Sequence, residues 1–207
     1  LRPLRYPLHV LKIRNITKQF PAVRALDGVS LDLAAGEVHG VIGENGAGKS
    51  TLMKILAGIQ PPDQGSLTLD GQPYQPRNVN DASRAGVVMI HQELNLVDDL
   101  SVAENILLGR EPRRFGLIQL GRMRTEAARL LREIGANIDP RARVGDLPVA
   151  QQQLVEITKA LSQKTSVLIL DEPTAVLSER ETTLLFKLVR RLKERGVAIV
   201  YISHLLP

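Results

Sequence analysis

The sequence predicts an α/β fold built on a parallel sheet. Three observations carry this. Short apolar runs at 37–42, 166–170 and 197–202 have the length and composition of buried strands. Segments of helical periodicity separate them. Strands that alternate with helices in this way pack as a parallel sheet covered by helices.

The elements follow in order. Residues 10–16 and 29–33 alternate in part and read as strands, with a loop holding Phe20 and Pro21 between them. After Gly36, the run 37–42 feeds a glycine-rich loop, 43–48. A helix is expected over 49–57, with Leu52, Ile55 and Leu56 at i, i+3 and i+4 and Gly58 as its stop. Pro61, Pro62, Asp63 and Gly65 mark a turn, 66–69 alternates, Asp70-Gly71 is a hairpin signal, and 86–91 is a further strand. From 101 to 161 the pattern is mostly helical. Ala127, Leu130, Leu131 and Ile134 form one stripe; Leu154, Ile157, Ala160 and Leu161 form another, with Pro148 suited to a first helical turn. Residues 166–170 return to strand. Ser178 and Glu181 match a capping box that opens a helix with Leu184, Leu185, Leu188 and Leu192 on its apolar face, and Gly196 ends it before the strand 197–202.

Composition narrows the functional classes. The length, 207 residues, suits one domain with a small subdomain. With 43% hydrophobic and 24% charged residues, the chain can bury a core, which excludes a largely disordered protein. No run approaches the ~18 apolar residues of a membrane-crossing helix. The absence of cysteine excludes disulfides, thiolate metal sites and cysteine nucleophiles, and agrees with a reducing compartment. Residues 1–11 contain Arg2, Pro3, Arg5 and Pro7 without a long apolar stretch, so a signal peptide is not expected. Lys and Arg number 27 against 22 Asp and Glu, a net +5 that could favour anionic partners such as nucleic acid, phosphates or an acidic membrane surface; much of it lies between 110 and 143, where a solvated basic face is the expectation. Aromatic content of 3% with no Trp gives no stacking platform for single-stranded nucleic acid. The chain stops at Pro207 directly after a strand, and truncation within the fold is the expectation.

Two motifs carry chemistry. Gly43-Glu44-Asn45-Gly46-Ala47-Gly48-Lys49-Ser50 fits G-x-x-x-x-G-K-[ST], followed by Thr51. In such a loop backbone N–H groups turn inward around a β-phosphate, Lys49 bridges the β- and γ-phosphates and Ser50 ligates Mg²⁺. The following helix aims its positive end at the same phosphates. The second motif, Leu168-Ile169-Leu170-Asp171-Glu172, is an apolar strand ending in two carboxylates. Asp171 is placed to hold Mg²⁺ through water. Glu172 is placed to orient or deprotonate an attacking water.

With these residues the chain resembles the ATP-binding-cassette (ABC) ATPases from about residue 11 onward. The resemblance implies a phosphate-loop cassette with a parallel sheet core, an antiparallel β subdomain and a helical subdomain near 95–162. It also implies roles for further residues: Phe20 stacked on adenine, Gln92 contacting Mg²⁺ and the attacking water, His204 reaching the γ-phosphate, and 175–178 as the D-loop. The family's L-S-G-G-Q loop is represented by Leu147, Pro148, Val149, Ala150 and Gln151. The family places that Ser hydroxyl and second Gly against the γ-phosphate on a partner cassette. Pro148 has no hydroxyl or N–H and Ala150 adds a methyl, so a poorer phosphate ligand is expected. Ser178 likewise replaces the D-loop aspartate.

The segments His91-Gln92-Glu93-Leu94, 100–106 and Gly109-Arg110-Glu111 bring the resemblance closer to ATPases of bacterial monosaccharide importers, at their amino-terminal cassette. This implies ATP and Mg²⁺, a second cassette on the same polypeptide or in a dimer, membrane permease subunits, indirectly a periplasmic sugar-binding protein, and no nucleic acid. The expected place is peripheral, on the cytoplasmic face of the bacterial inner membrane. Three alternatives stand beside it: a cassette ATPase acting on nucleic acid or ribosomes, a nucleotide-holding module without turnover, and, more weakly, a phosphate-loop kinase.

Overall fold

A computed structural model describes residues 10–44, 46–90, 95–173 and 179–203. In chain order these form β1 (Leu11–Phe20), β2 (Val23–Leu33), β3 (Val38–Ile42), α1 (Lys49–Leu56), β4 (Gln64–Leu69), β5 (Gln72–Pro73), α2 (Val79–Ala85) and β6 (Val87–Ile90). Then come α3 (Val102–Ile106), β7 (Arg113–Arg114), β8 (Leu117–Ile118), α4 (Leu120–Ile134) and α5 (Val149–Leu161). The last elements are β9 (Val167–Asp171), α6 (Glu179–Glu194) and β10 (Ala198–Ser203). Two compact units divide them. One holds the described residues up to Met89, with Thr165–Glu172 and those from Val189 on; the other holds those of Ile90–Lys164 and Pro173–Leu188.

The first unit contains an antiparallel sheet, in the order β2-β1-β4-β5, and the sheet β3-β10-β9-β6, in which β10 runs parallel to both β3 and β9. Val167 to Leu170 are all buried, as a strand covered on both faces requires. One cluster unites Leu11, Ile13, Leu33, Leu67 and Leu69 of the antiparallel sheet with Leu52, Met53, Ile55 and Leu56 of α1 and Ile169 and Val200 of the parallel one. Ile13 and Ile16 are both buried although three residues apart. The ladder slips between them, and Asn15 takes φ 50°, so a bulge resets the inward face. The Asp70-Gly71 turn has φ 50° and 78°, the doubly left-handed geometry of a two-residue hairpin.

The second unit is mostly helical, and α3, α4 and α5 pack pairwise. Polar groups organise the entry into α3. Ser101 caps α3, and Glu104 reaches back to the Ser101 hydroxyl (2.5 Å) and N–H (2.8 Å). Asn105 is fully buried; its amide oxygen accepts from Val97 N–H at 2.8 Å, and its NH₂ donates to the Val97 carbonyl at 2.9 Å and the Ser101 carbonyl at 3.2 Å. The 100–106 segment is thus a built structural corner.

Several expectations need correction. Phe20 ends β1 and pairs with Val23, instead of lying in a loop. The helical stretch is interrupted by the β7–β8 hairpin, and a further helix, α2, capped by Asn78, precedes β6. Pro148 is the N-cap of α5, with φ −55° and ψ 146°, instead of a first-turn residue. On α6 Leu184 is 42% exposed and Val189 is buried: the stripe runs through Leu185, Leu188, Val189 and Leu192 at i, i+3, i+4 and i+7. On α5 Leu154 and Leu161 are half-buried, while Val155, Ile157 and Ala160 are buried. Ser178 of the expected capping box lies outside the described residues.

Candidate functional site

Open parallel sheets offer ligand sites at the carboxyl ends of their strands. Ile202 of β10 pairs with both Val41 of β3 and Asp171 of β9, so these three residues stand in one row. The Glu172 N–H donates to the Ile202 carbonyl at 3.2 Å, carrying the ladder one residue past β9. The ends of β3 and β9 are therefore level and one strand apart, roughly 10 Å at ordinary strand spacing.

Just beyond Ile42 the chain turns through 43–48 into α1. Gly46 and Gly48 take φ +85° and +84°. A Cβ on Gly48 would lie 2.2 Å from the Ala25 carbonyl oxygen and 3.0 Å from Leu26 Cδ2, whereas one on Gly46 would meet nothing within 4 Å. The loop is pressed against β2, and only glycine fits at that contact. Gly48 is also the N-cap of α1 and supplies no side-chain acceptor. The first-turn N–H groups thus open the helix without a side-chain cap, which is the arrangement that receives anions.

Residues 46–51 and Glu172 line one cleft of about 140 Å³. That is below the ~300 Å³ of a site enclosing a whole drug-sized ligand, and suits a phosphate end with the remainder outside. Lys49 Nζ donates to the carbonyls of Gly43 and Glu44, the latter at 2.9 Å. Ser50 is exposed, Thr51 is half-buried, and Asp171 and Glu172 are half-buried at the strand end. Glu172 has φ 48°, a left-handed conformation that costs a non-glycine residue about 1 kcal/mol or more. A carboxylate on a strained turn beside a phosphate-loop lysine is the sort of placement that packing alone does not call for.

Phe20 sits at the tip of the β1–β2 hairpin and is 36% exposed, with Lys18 Nζ 6.0 Å from its ring centre. Asp63 fixes that tip, accepting from Gln19 N–H and Lys18 Nζ, each at 2.7 Å. The Gln19 N–H first, and the Lys18 ammonium second, hold the Asp63 carboxyl below the usual carboxylate range. Ala25, which touches Gly48, is two residues along β2 from Val23, about 7 Å at strand rise. The aromatic tip and the loop are neighbours through β2.

Leu147, Pro148, Val149, Ala150 and Gln151 form the start of α5. The Gln151 N–H donates to the Pro148 carbonyl at 2.8 Å, Val149 is 52% exposed, and no side chain caps the helix. Gln152 Nε2 braces the approach, donating to the carbonyls of Val144 (3.2 Å) and Leu147 (3.0 Å). Gln153 is buried and donates to the Pro173 carbonyl at 2.7 Å, directly after Glu172 in the chain. Asp63 thus does more than mark a turn, and Gln153, the last of three consecutive glutamines, carries no local sign of its burial. Asn45, Gln92, His204 and residues 175–178, expected as the D-loop, lie outside the described residues.

Comparison with known proteins gives one picture. The ABC transporter family matches residues 26–175. A ribose import ATP-binding protein of Rubrobacter xylanophilus is 56% identical over 204 residues, covering 99% of this chain and 40% of its own length. An arabinose import ATP-binding protein of Burkholderia cenocepacia is 54% identical over 194 residues, 94% of this chain and 39% of its own. The chain thus spans about two fifths of these curated relatives. Among solved structures, a nucleotide-free ATP-binding cassette from an ABC transporter superposes with a TM-score of 0.82 at 26% identity, covering 95% of this chain and 81% of that one. An ATP-binding cassette in its ADP conformation gives 0.82 at 27%, covering 96% and 82%. Among the described residues no helix is long and apolar enough to cross a membrane.

Proposed function

The chain belongs to the ABC transporter family, and from that premise we propose that it binds and hydrolyses ATP to drive import of a monosaccharide through a membrane permease. The observation that carries this is the cleft that gathers Lys49, Ser50 and Glu172 at the ends of β3 and β9. In this reading the N–H groups of Gly43, Glu44, Asn45, Gly46, Ala47 and Gly48 cradle the β-phosphate, Lys49 leaves the loop carbonyls for the β- and γ-phosphates, and Thr51 continues the cradle. Phe20 stacks on adenine outside the cleft. Glu172 orients the attacking water and accepts its proton; Gln92 and His204 assist at the water and at the charge developing on the γ-phosphate.

The donors present suit Mg²⁺. Among the described residues no cluster of three or more acidic or imidazole groups stands ready for a metal. One carboxylate, Asp171, and one hydroxyl, Ser50, beside a phosphate loop match an ion that takes its other ligands from phosphates and water, here with Gln92 as well. Bound there, it would neutralise charge on the β- and γ-phosphates.

The partner reading is supported by the relatives, whose names specify ribose and arabinose import. A second cassette, on the same polypeptide or in a dimer, would meet the nucleotide through Leu147, Pro148, Val149, Ala150 and Gln151. Permease subunits would hold the chain peripherally at the cytoplasmic face of the inner membrane, with a periplasmic sugar-binding protein delivering the sugar.

The test is Mg²⁺-dependent ATP binding and hydrolysis, by the chain alone and with a second cassette. Lys49→Ala should lose binding, whereas Glu172→Gln should keep binding and lose turnover. Equal loss of binding in both variants would refute the role given to Glu172.

A further inference from the structure

The β7–β8 hairpin breaks the local rules of its own turn. Phe115 and Gly116 are its two turn residues, with φ 51° and 81°. Glycine, asparagine or aspartate is the usual first residue of such a turn, because a bulky side chain at positive φ is strained. Phe115 accepts that strain and gains no burial. It is 92% exposed, and the Arg114 guanidinium lies 5.3 Å from its ring centre. Leu117 is 75% exposed, and Ile118 and Leu120 are 46% and 47% exposed.

Charge surrounds this apolar tip. Residues 108–125 carry Arg110, Arg113, Arg114, Arg122 and Arg124 against the single acid Glu111. Arg110, Arg113 and Arg122, with Glu126, line a groove of about 620 Å³ at the base of the hairpin. Arg110 is turned inward onto the carbonyls of Ser162 (2.9 Å) and Ile106 (3.2 Å), while Arg114, Arg122 and Arg124 are exposed, as is Arg113, which pairs with Glu111 at 3.5 Å.

The register sets how charge and apolar surface are shared between the two faces. Arg113 pairs with Ile118 and Arg114 with Leu117, so each face of the hairpin presents one guanidinium beside one aliphatic chain. Here the two faces are alike and the aromatic stands at the tip, which is the layout for entering a boundary tip first. We propose that the β7–β8 hairpin inserts Phe115 and Leu117 into the interface of an anionic lipid bilayer, with Arg113, Arg114, Arg122 and Arg124 on lipid phosphates. Aromatic rings favour the headgroup level, and long cationic side chains keep their heads at phosphates while their stems lie in apolar surroundings. Each basic residue near such a surface is worth roughly fivefold in partitioning. The strain at Phe115 then has a use, which the folded chain alone does not give it. This contact does not depend on the transport reading, because it rests on the hairpin and not on the phosphate cleft.

Flotation of the full chain with vesicles tests it. Vesicles of phosphatidylcholine with roughly 30 mol% phosphatidylglycerol should carry the chain upward, and pure phosphatidylcholine vesicles should not. Phe115→Ser with Leu117→Ser should lower partitioning about tenfold or more. Arg113→Gln with Arg114→Gln should lower it roughly 25-fold. Lys12→Gln with Arg84→Gln, an equal charge change elsewhere, should leave it unchanged, and melting curves should show all three variants folded. No flotation, equal loss in the Lys12/Arg84 control, indifference to the Phe115/Leu117 change, preferential capture by RNA in competition, or retention only by vesicles carrying a permease would each overturn the proposal. ATP turnover, measured separately, reports on the cleft alone.

Discussion

Gly48→Ala separates two roles that glycine plays in the phosphate loop. At φ +84° any L-residue is strained by about 1–2 kcal/mol. The added methyl would also stand 2.2 Å from the Ala25 carbonyl oxygen, about an ångström inside ordinary contact. Because the obstacle is β2 backbone and not a side chain that can rotate away, loop and strand must part, at a further ~1–3 kcal/mol. Gly46→Ala carries only the first cost, since its Cβ would meet nothing within 4 Å at a similar φ of +85°. Gly48→Ala should therefore destabilise the first unit by about 3 kcal/mol, lowering the melting temperature by roughly 6–12 °C, and Gly46→Ala by about half as much. Thermal unfolding followed by circular dichroism measures both, and an ATP titration should show Gly48→Ala binding more weakly than the parent. Equal melting shifts in the two variants would refute the idea that β2 presses on the loop.

Asn105→Ala should cost about 1–3 kcal/mol by urea unfolding, because it strands buried carbonyl and N–H groups around Val97 and Ser101, whereas exposed Arg84→Ala should stay within about 0.5 kcal/mol. Glu104 should make stability pH-dependent. The Ser101 hydroxyl, then the Ser101 N–H, holds its carboxyl below the usual 4.5. A pKa lowered in the fold contributes stability above the ordinary value and loses it as pH falls through the folded one. The melting difference between the parent and Glu104→Gln should thus be full near neutrality and shrink below about pH 4.5. Pro148→Ser with Ala150→Gly should tighten ATP-dependent pairing with a second cassette, read by sedimentation; unchanged pairing would show that the present loop is already competent.

What was legible in the sequence was whatever local pattern dictates. The G-x-x-x-x-G-K-S loop, the apolar strand ending at Asp171 and Glu172, the Asp70-Gly71 turn and the stripe of α4 each declare themselves within about fifteen residues, because steric, capping and burial rules act over that range. Where a segment is buried more widely than one stripe, as α5 is, or where a polar residue is kept inside by partners far along the chain, local pattern underdetermines it. Short elements such as α2 and the β7–β8 hairpin have too few residues to build a period.

Tertiary structure alone decided the geometry that chemistry uses. Sequence named Lys49, Ser50 and Glu172 as candidates over 120 residues apart. Only the ladder that sets Val41, Ile202 and Asp171 in one row brings their backbones level, and only the contact of Ala25 with Gly48 seats the loop against β2. The physical reason is that strand order, register and close backbone approach arise from contacts among distant residues. The sequence contains them jointly, but no window of it displays them.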